Sequence, residues 1–268
     1  VEHLFITSTH SHIVFFTNKG KMYRLKGYDI PEAGRQARGV ALINLIPIEP
    51  GEKVQAVYAV KDYGDGEYYV VMATKMGKVK KTALDEFNSP RAGLIGIVLE
   101  DGDELIGVRF TQGNEEILLV TKQGMSIRFS ETEVRPMGRA TMGVKGITLN
   151  SGDEVVSMNV VVPDGQLLVV TEKGYGKRTD LEEYRPQGRG GKGIKAINQT
   201  ARTGAVVGAK VVNEEDELML ITIGGVMIRQ SVAEISVFGR NTQGVKLMRL
   251  EEDERVVAVA LVAGKSED

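Results

Sequence analysis

The chain has 268 residues, 42% of them apolar, with 34 basic and 36 acidic side chains and a formal net charge of −2. It contains no cysteine, which excludes disulfides and thiolate chemistry and suits a reducing cytoplasm. No run of roughly 18 apolar residues and no signal-peptide pattern is present, so neither a membrane-spanning helix nor a secretory leader is expected.

Residues 1–10 hold one apolar run, Leu4-Phe5-Ile6-Thr7. It is expected to be the closing strand of a preceding unit, pairing at the edge of the first complete one. From there a single frame recurs along the chain. A β-rich run ends at a threonine: Thr17, Thr74, Thr121, Thr171 and Thr222. A tight turn follows, with its glycine at Gly20, Gly77, Gly124, Gly174 and Gly225. Four positions on stands a cation: Arg24, Lys81, Arg128, Arg178 and Arg229. Fifteen after the glycine comes an arginine in four copies, Arg35, Arg139, Arg189 and Arg240. Nineteen after it comes a second glycine: Gly39, Gly143, Gly193 and Gly244. The second copy is three residues shorter, with Gly93 as its second glycine, Ser89 in the arginine's place and Arg91 nearby.

An apolar strand is expected after each second glycine, as at Val40-Ala41-Leu42-Ile43 and Val144-Lys145-Gly146-Ile147. An acidic turn then leads into another strand, as at Gly102-Asp103-Glu104-Leu105. Four strands in about 45 residues is the mark of a propeller blade. No helix-period segment competes with it. The expectation is an all-β chain: a β-propeller or β-pinwheel of about five four-stranded blades in one domain, 1–268. The units run from about 11–60, 67–110, 111–161, 162–212 and 213–262, with a polar, turn-rich linker at 61–66.

Charge is sorted by position within the repeat. The stretches from each turn glycine to the following apolar strand hold 23 of the 34 basic residues but only 10 of the 36 acidic ones. Equivalent offsets in a blade array share radius and height, so these cations should form a rim suited to an anionic polymer. A solvated loop is often basic, and one copy would mean little; five copies of one sign at one offset carry the argument. The expected contacts are Arg24, Lys26, Arg35 and Arg38 in the first unit, and Lys78, Lys80, Lys81 and Arg91 in the second. Arg128 and Arg139 follow in the third, Lys177, Arg178, Arg189 and Lys192 in the fourth, and Arg229 and Arg240 in the fifth. Lysines on an edge strand also guard against aggregation, which is the plainer reading of Lys78-Val79-Lys80-Lys81.

The sharpest motif is Gln187-Gly188-Arg189-Gly190-Gly191-Lys192-Gly193. Glycine lets backbone N–H groups approach a phosphate and permits positive φ. Arg189 offers a bidentate grip and Lys192 a point charge. A nucleotide P-loop would end in Lys-Ser/Thr and open a helix; here Gly-Ile and a strand follow, so that reading is rejected. His3, His10 and His12 have no carboxylate or cysteine cluster to complete a metal set, and no cofactor is expected. Tryptophan is absent and no aromatic platform accompanies the cations, which favours double-stranded over single-stranded DNA as partner.

These frames resemble the C-terminal domain of the gyrase A protein of bacterial DNA gyrase over essentially the whole chain. The repeated Gly-x3-[Lys/Arg] and Gly-Arg-x3-Gly-[Val/Ile] patterns carry the resemblance, with the stretches Val237 to Val245 and Gly174 to Thr179. It implies a hairpin-invaded propeller in which neighbouring units exchange strands and DNA bends around the outer perimeter. It implies service to ATP-dependent negative supercoiling, with the rest of gyrase A and gyrase B as partners, in the cytoplasm at the nucleoid. The cleaving and ATPase parts lie elsewhere, so the domain itself is expected to be non-catalytic. Family members usually have six units, the first bearing a Gln-Arg-Arg-Gly-Gly-Lys-Gly box. Five are counted here, and the box-bearing unit would lie before Val1. Residues 187–193 match that box except for Gly188, and sit in a later unit. The similar C-terminal DNA-binding domain of topoisomerase IV is the nearest competitor. A protein-interaction propeller is a further alternative, disfavoured by the missing Trp-Asp dipeptides and the cationic offset.

Overall fold

The computed structural model describes residues 7–34, 36–64 and 66–262. Most of the strand expected from Leu4 to Thr7, His3 and Arg35 lie outside them. Contacts divide the chain into two compact units: Val1–Gly113 with Val134–Val144, and Asn114–Glu133 with Lys145–Asp268.

The strands of the first segment are β1 (His12–Thr17), β2 (Lys21–Lys26), β3 (Val54–Val60), β4 (Tyr69–Thr74), β5 (Lys78–Ala83), β6 (Gly93–Ile95) and β7 (Leu105–Thr111). There follow β8 (Glu116–Thr121), β9 (Met125–Ser130), β10 (Val144–Lys145), β11 (Val155–Val160), β12 (Gln166–Thr171) and β13 (Tyr175–Asp180). The last are β14 (Ile194–Lys195), β15 (Val206–Val212), β16 (Glu217–Thr222), β17 (Met227–Ser231), β18 (Val245–Lys246) and β19 (Val256–Val262). The first unit holds the sheet β3-β1-β2-β6 and the sheet β10-β5-β4-β7, which β10 enters at Val144. The second holds β11-β8-β9-β14, β15-β12-β13-β18 and the three-stranded β17-β16-β19. Helical turns among the described residues are short 3₁₀ pieces.

Four of the five hairpins borrow a fourth strand from the next repeat. β6 follows the second hairpin yet pairs with β2 of the first, Met22 opposite Leu94. β14 pairs with β9 and β18 with β13 in the same way. The expected exchange of strands is therefore present. Two expectations need correction. The fifth sheet has three strands, because no described segment adds to β17. Residues 42–44 form a 3₁₀ turn instead of a strand, since no described hairpin precedes them to pair with.

The hairpin turns show why threonine and glycine recur. Gly77, Gly124 and Gly174 have φ of +89°, +81° and +81°, where a side chain is strained. The threonine hydroxyl closes the turn by accepting the N–H four residues on: Lys78 to Thr74 at 3.1 Å, Met125 to Thr121 at 3.0 Å. The acidic turns serve the same hairpins. Asp103 accepts from Met76 N–H at 2.9 Å and Asp153 from Gln123 N–H at 2.9 Å, so these carboxylates are structural.

The first strand of the first four hairpins is buried on both faces, so it reads as a continuous apolar run, whereas β16 buries alternate residues only. In β12, Leu167 and Val169 pack with Leu118 and Val120 of β8. Leu168 and Val170 pack with Leu218 and Leu220 of β16. In the first unit, Val14 and Phe16 join Val70 and Met72, while Ile13 and Phe15 join Tyr23 and Ile46.

Candidate nucleic-acid interface

The cation four after the turn glycine lies on the second hairpin strand, and in four of the five repeats it turns to the protein: Lys81 and Arg178 are buried, Arg24 and Arg128 half-buried. Arg178 is 4% exposed. Its Nε donates to Ile235 O at 2.7 Å, Nη1 to Gln166 Oε1 at 2.8 Å and Glu214 at 3.2 Å, and Nη2 to Ala233 O at 3.3 Å. Arg128 repeats the arrangement one hairpin earlier. It pairs with Glu116 through Nε at 2.9 Å and donates to Leu181 O at 3.0 Å and Tyr184 O at 3.2 Å. The backbone joins in: Gln187 N–H donates to Arg128 O, Phe238 N–H to Arg178 O and Met137 N–H to Lys81 O. Lys81 is buried over the Tyr69 ring, 5.0 Å from its centroid. Arg24 reaches Asn88 and the Tyr63 ring. Arginine suits this task because its fixed fork satisfies several carbonyls at once. These side chains strap each hairpin to the following loop. Arg229, over which no described loop lies, is exposed and pairs with Glu217.

Lys80 and Lys177, three after their turn glycines, are completely buried. Lys80 Nζ donates to the carbonyls of Gly96 at 2.7 Å, Thr141 at 3.3 Å and Arg139. Lys177 Nζ donates to Gly239 O at 2.8 Å, Arg240 O at 2.6 Å and Thr242 Oγ1 at 3.2 Å. Burial pulls both ammonium groups down to about 8. Glu86 and Glu183 oppose that shift, while Arg139 and Arg240 add to it. The expectation that Lys80, Lys81, Lys177 and Arg178 face solvent is corrected: a desolvated cation must be paired, and these are paired inside.

What remains outside is a second tier. Arg139, Arg189 and Arg240 are half-buried and recur in one setting. Each backbone N–H donates to a carboxylate of the preceding repeat: Glu86 at 3.3 Å, Glu133 at 2.8 Å and Glu183 at 2.9 Å. Each guanidinium donates Nη1 to a short-strand carbonyl: Ile95, Lys145 and Lys195. That places Arg189 beside Lys145 and Arg240 beside Lys195, with both lysine side chains exposed. Lys192 is exposed with no hydrogen bond or ion pair among the described residues. Arg38 and Arg91 are likewise exposed. Lys26 is half-buried and donates to His10 O, and Lys78 pairs with Glu100 at 3.6 Å.

The 187–193 loop differs from its expected form. Arg189 N–H goes to Glu133 and Gly190 N–H to Gly146 O at 2.8 Å, so both amides are used internally. Gly193, at φ +76°, lies flat on the Ser126 peptide, where a Cβ has no room. Here glycine secures close packing more than an anion cradle.

Sequence reasoning passed over Lys145 and Lys195 as contacts, and did not select Arg135, Arg185, Lys246 or Arg249, all exposed. The signal was present: Lys145, Lys195 and Lys246 each stand two residues after the second glycine. Among the described residues, no group of three or more His, Cys, Asp or Glu side chains could hold a metal. No helix among them is long and apolar enough to cross a membrane.

Hairpins that borrow a strand from the next repeat, locked by an inward cation and edged by outward ones, define a blade-repeat protein of the β-propeller class. The family described as "DNA gyrase C-terminal domain, beta-propeller" matches at 11–61, 68–112, 115–161, 165–213 and 216–263, and the chain belongs to it. The DNA gyrase A protein of Halalkalibacterium halodurans is 57% identical over 263 residues, covering 98% of this chain and 32% of that protein. This chain thus spans about a third of the length of the curated relatives it matches. A solved C-terminal domain of DNA topoisomerase IV superposes with a TM-score of 0.90 at 29% identity, covering 95% of this chain and 80% of that one. A solved DNA gyrase A C-terminal domain gives 0.80 at 25% identity, covering 97% and 89%.

Proposed function

We propose that this domain binds double-stranded DNA without reading its sequence, and bends it along the outward arginine–lysine tier. The observation that carries the reading is the recurrence of Arg189 beside Lys145 and Arg240 beside Lys195, each guanidinium held through Nη1 by a short-strand carbonyl with Nη2 left open. Such side chains neutralise phosphates and release counterions, so affinity falls steeply with salt. Contacts repeated from blade to blade offset the cost of bending the duplex. The outward cations are Arg38, Arg91 and Arg139 in the first unit, and in the second Arg189, Lys192 and Arg240 from the sequence expectation, with Lys145, Lys195 and Lys246 added. Arg35 remains a candidate from its offset alone. The domain itself carries no catalytic step or cofactor in this reading.

In the intact enzyme, bending would become wrapping that serves ATP-dependent negative supercoiling. The partners are the remainder of a gyrase A protein and gyrase B, in the cytoplasm at the nucleoid. Family membership and the gyrase relatives support this. The likeness to a topoisomerase IV domain favours a second reading, a DNA-binding domain of that enzyme. Titration of a labelled duplex with the chain at rising salt tests the binding, and affinity independent of salt would refute it. Grafting the domain onto a gyrase catalytic core separates the two enzymes: negative supercoiling of relaxed plasmid supports the first reading, relaxation alone the second.

A further inference from the structure

We infer that Lys80 and Lys177 are positioning residues, which hold the loops carrying Arg139 and Arg240 and make no phosphate contact themselves. The inference rests on the reading of the outward tier as a DNA surface. An ammonium has three donors and no acceptor, and each of these two meets three acceptors. In both cases one acceptor is the carbonyl of the rim arginine itself. The arginine's N–H is meanwhile bound by Glu86 or Glu183. A carboxylate grips the peptide before the arginine Cα, and an ammonium grips the peptide after it. The loop is closed further by Thr141, whose hydroxyl donates to Gly138 O at 2.7 Å, and by Thr242, which donates to Gly239 O at 2.8 Å. The guanidinium is thereby launched from a fixed backbone, which lowers the entropy lost when it grips a phosphate.

The third repeat shows the alternative. Ile127 stands where Lys80 and Lys177 stand in their repeats. Above it lies the glycine loop 187–193, with the Gly191 Cα side facing Ile127. Glu133 still binds Arg189 N–H, but no lysine reaches the arginine's carbonyl among the described residues. Thr148 takes over, through N–H to Gly191 O at 2.8 Å and Oγ1 to Gly190 O at 2.7 Å. Two loops are clamped by lysine, and the box-like loop is seated without one.

Lys80→Met and Lys177→Met in the whole chain remove the clamp while filling its volume. Amide exchange in 138–143 and 239–244 should then quicken by about tenfold or more, with 187–193 unchanged as the internal reference. Duplex affinity should fall several-fold with the salt slope unchanged, whereas Arg139→Gln should lower that slope by about one. Lys80→Gln and Lys177→Gln, which restore an uncharged donor, should recover part of the protection and cover the case in which the methionine variants misfold. Unchanged exchange in the clamped loops, or a slope that falls in Lys80→Met as far as in Arg139→Gln, overturns the inference. If the unsubstituted chain bound duplex with no salt dependence, the DNA reading alone would fail. The exchange measurement would still decide whether lysine holds the loop.

Discussion

Arg178 Nε donates to the carbonyl oxygen of Ile235, 57 residues further along the chain, at 2.7 Å. The same guanidinium also takes Ala233 O, Gln166 and Glu214, so one side chain ties a hairpin to the loop of the next repeat. Replacing it with methionine leaves buried carbonyls without donors. We expect Arg178→Met to lower unfolding free energy by about 2–4 kcal/mol in urea denaturation. The salt slope of DNA binding by the folded fraction should stay as in the unsubstituted chain. A fall in that slope without a fall in stability would return Arg178 to the DNA surface.

The second glycine makes an independent case. At Gly244, φ is +75° and a Cβ would stand 2.5 Å from Gly176 O. Left-handed backbone costs an ordinary residue about 1–2 kcal/mol, and the backbone oxygen cannot move aside cheaply. Gly244→Ala should therefore lower the melting temperature by several degrees and weaken the pairing of β18 with β13. Gly188, with nothing within 4 Å of its would-be Cβ and no positive φ, is the control, and Gly188→Ala should melt with the parent. Equal effects would show that the glycines serve something other than close approach.

These two cases mark how far the sequence could be read. The Thr-x-x-Gly turn, the hairpin and the short strand after the second glycine left a period, because each is a local backbone need repeated from unit to unit. That this strand pairs with the preceding hairpin came only with the family resemblance. The direction of the cations left less. An offset states that positions are equivalent, and a hairpin strand here buries both faces. Arg178 lies at an offset that is cationic in every copy, yet its main-chain partners, Ala233 O and Ile235 O, lie 55 and 57 residues on and carry no residue-type signature. For Lys80 and Lys177 a clue did exist. The same offset holds Tyr23, Ile127 and Ile228 in the other repeats, an apolar set that points indoors. Lys145 and Lys195 were legible too, as the lysine two after the second glycine, and were passed over for the denser motif beside them.

The buried lysines also give stability a pH signature. Desolvation holds both at about 8 when folded, below the ordinary lysine value of about 10.4 expected when unfolded. Below about pH 8 both states are protonated and the desolvation cost is constant. Above it the folded state loses the protons first, so the unfolded state binds more and stability rises with pH. Two tyrosines act oppositely at higher pH: burial raises Tyr23 and Tyr184, so they ionise more readily once unfolded. The window for the lysine effect is therefore about pH 8 to 9.5. Urea midpoints across it should climb in the parent relative to a Lys80→Met, Lys177→Met double variant. Parallel curves would mean that the two ammonium groups are not depressed.

The box-like loop offers the direct test of the DNA surface. Arg189 has one nitrogen on Lys145 O and another on Glu133 O, with the rest of the fork open, and Lys192 is unpaired among the described residues. Reversing both to glutamate changes the local charge by four units where a phosphate would lie. Repulsion at that point should straighten the duplex and weaken binding more than tenfold at low salt, converging on the parent as screening increases. The loop backbone keeps its Glu133, Gly146 and Thr148 bonds, so the melting temperature should move by no more than a few degrees. End-to-end FRET on a duplex labelled at both ends reads the bend directly. An unchanged bend angle in Arg189→Glu, Lys192→Glu, with binding retained, would remove this loop from the path of the DNA and leave the bending to Arg240, Lys195 and their equivalents.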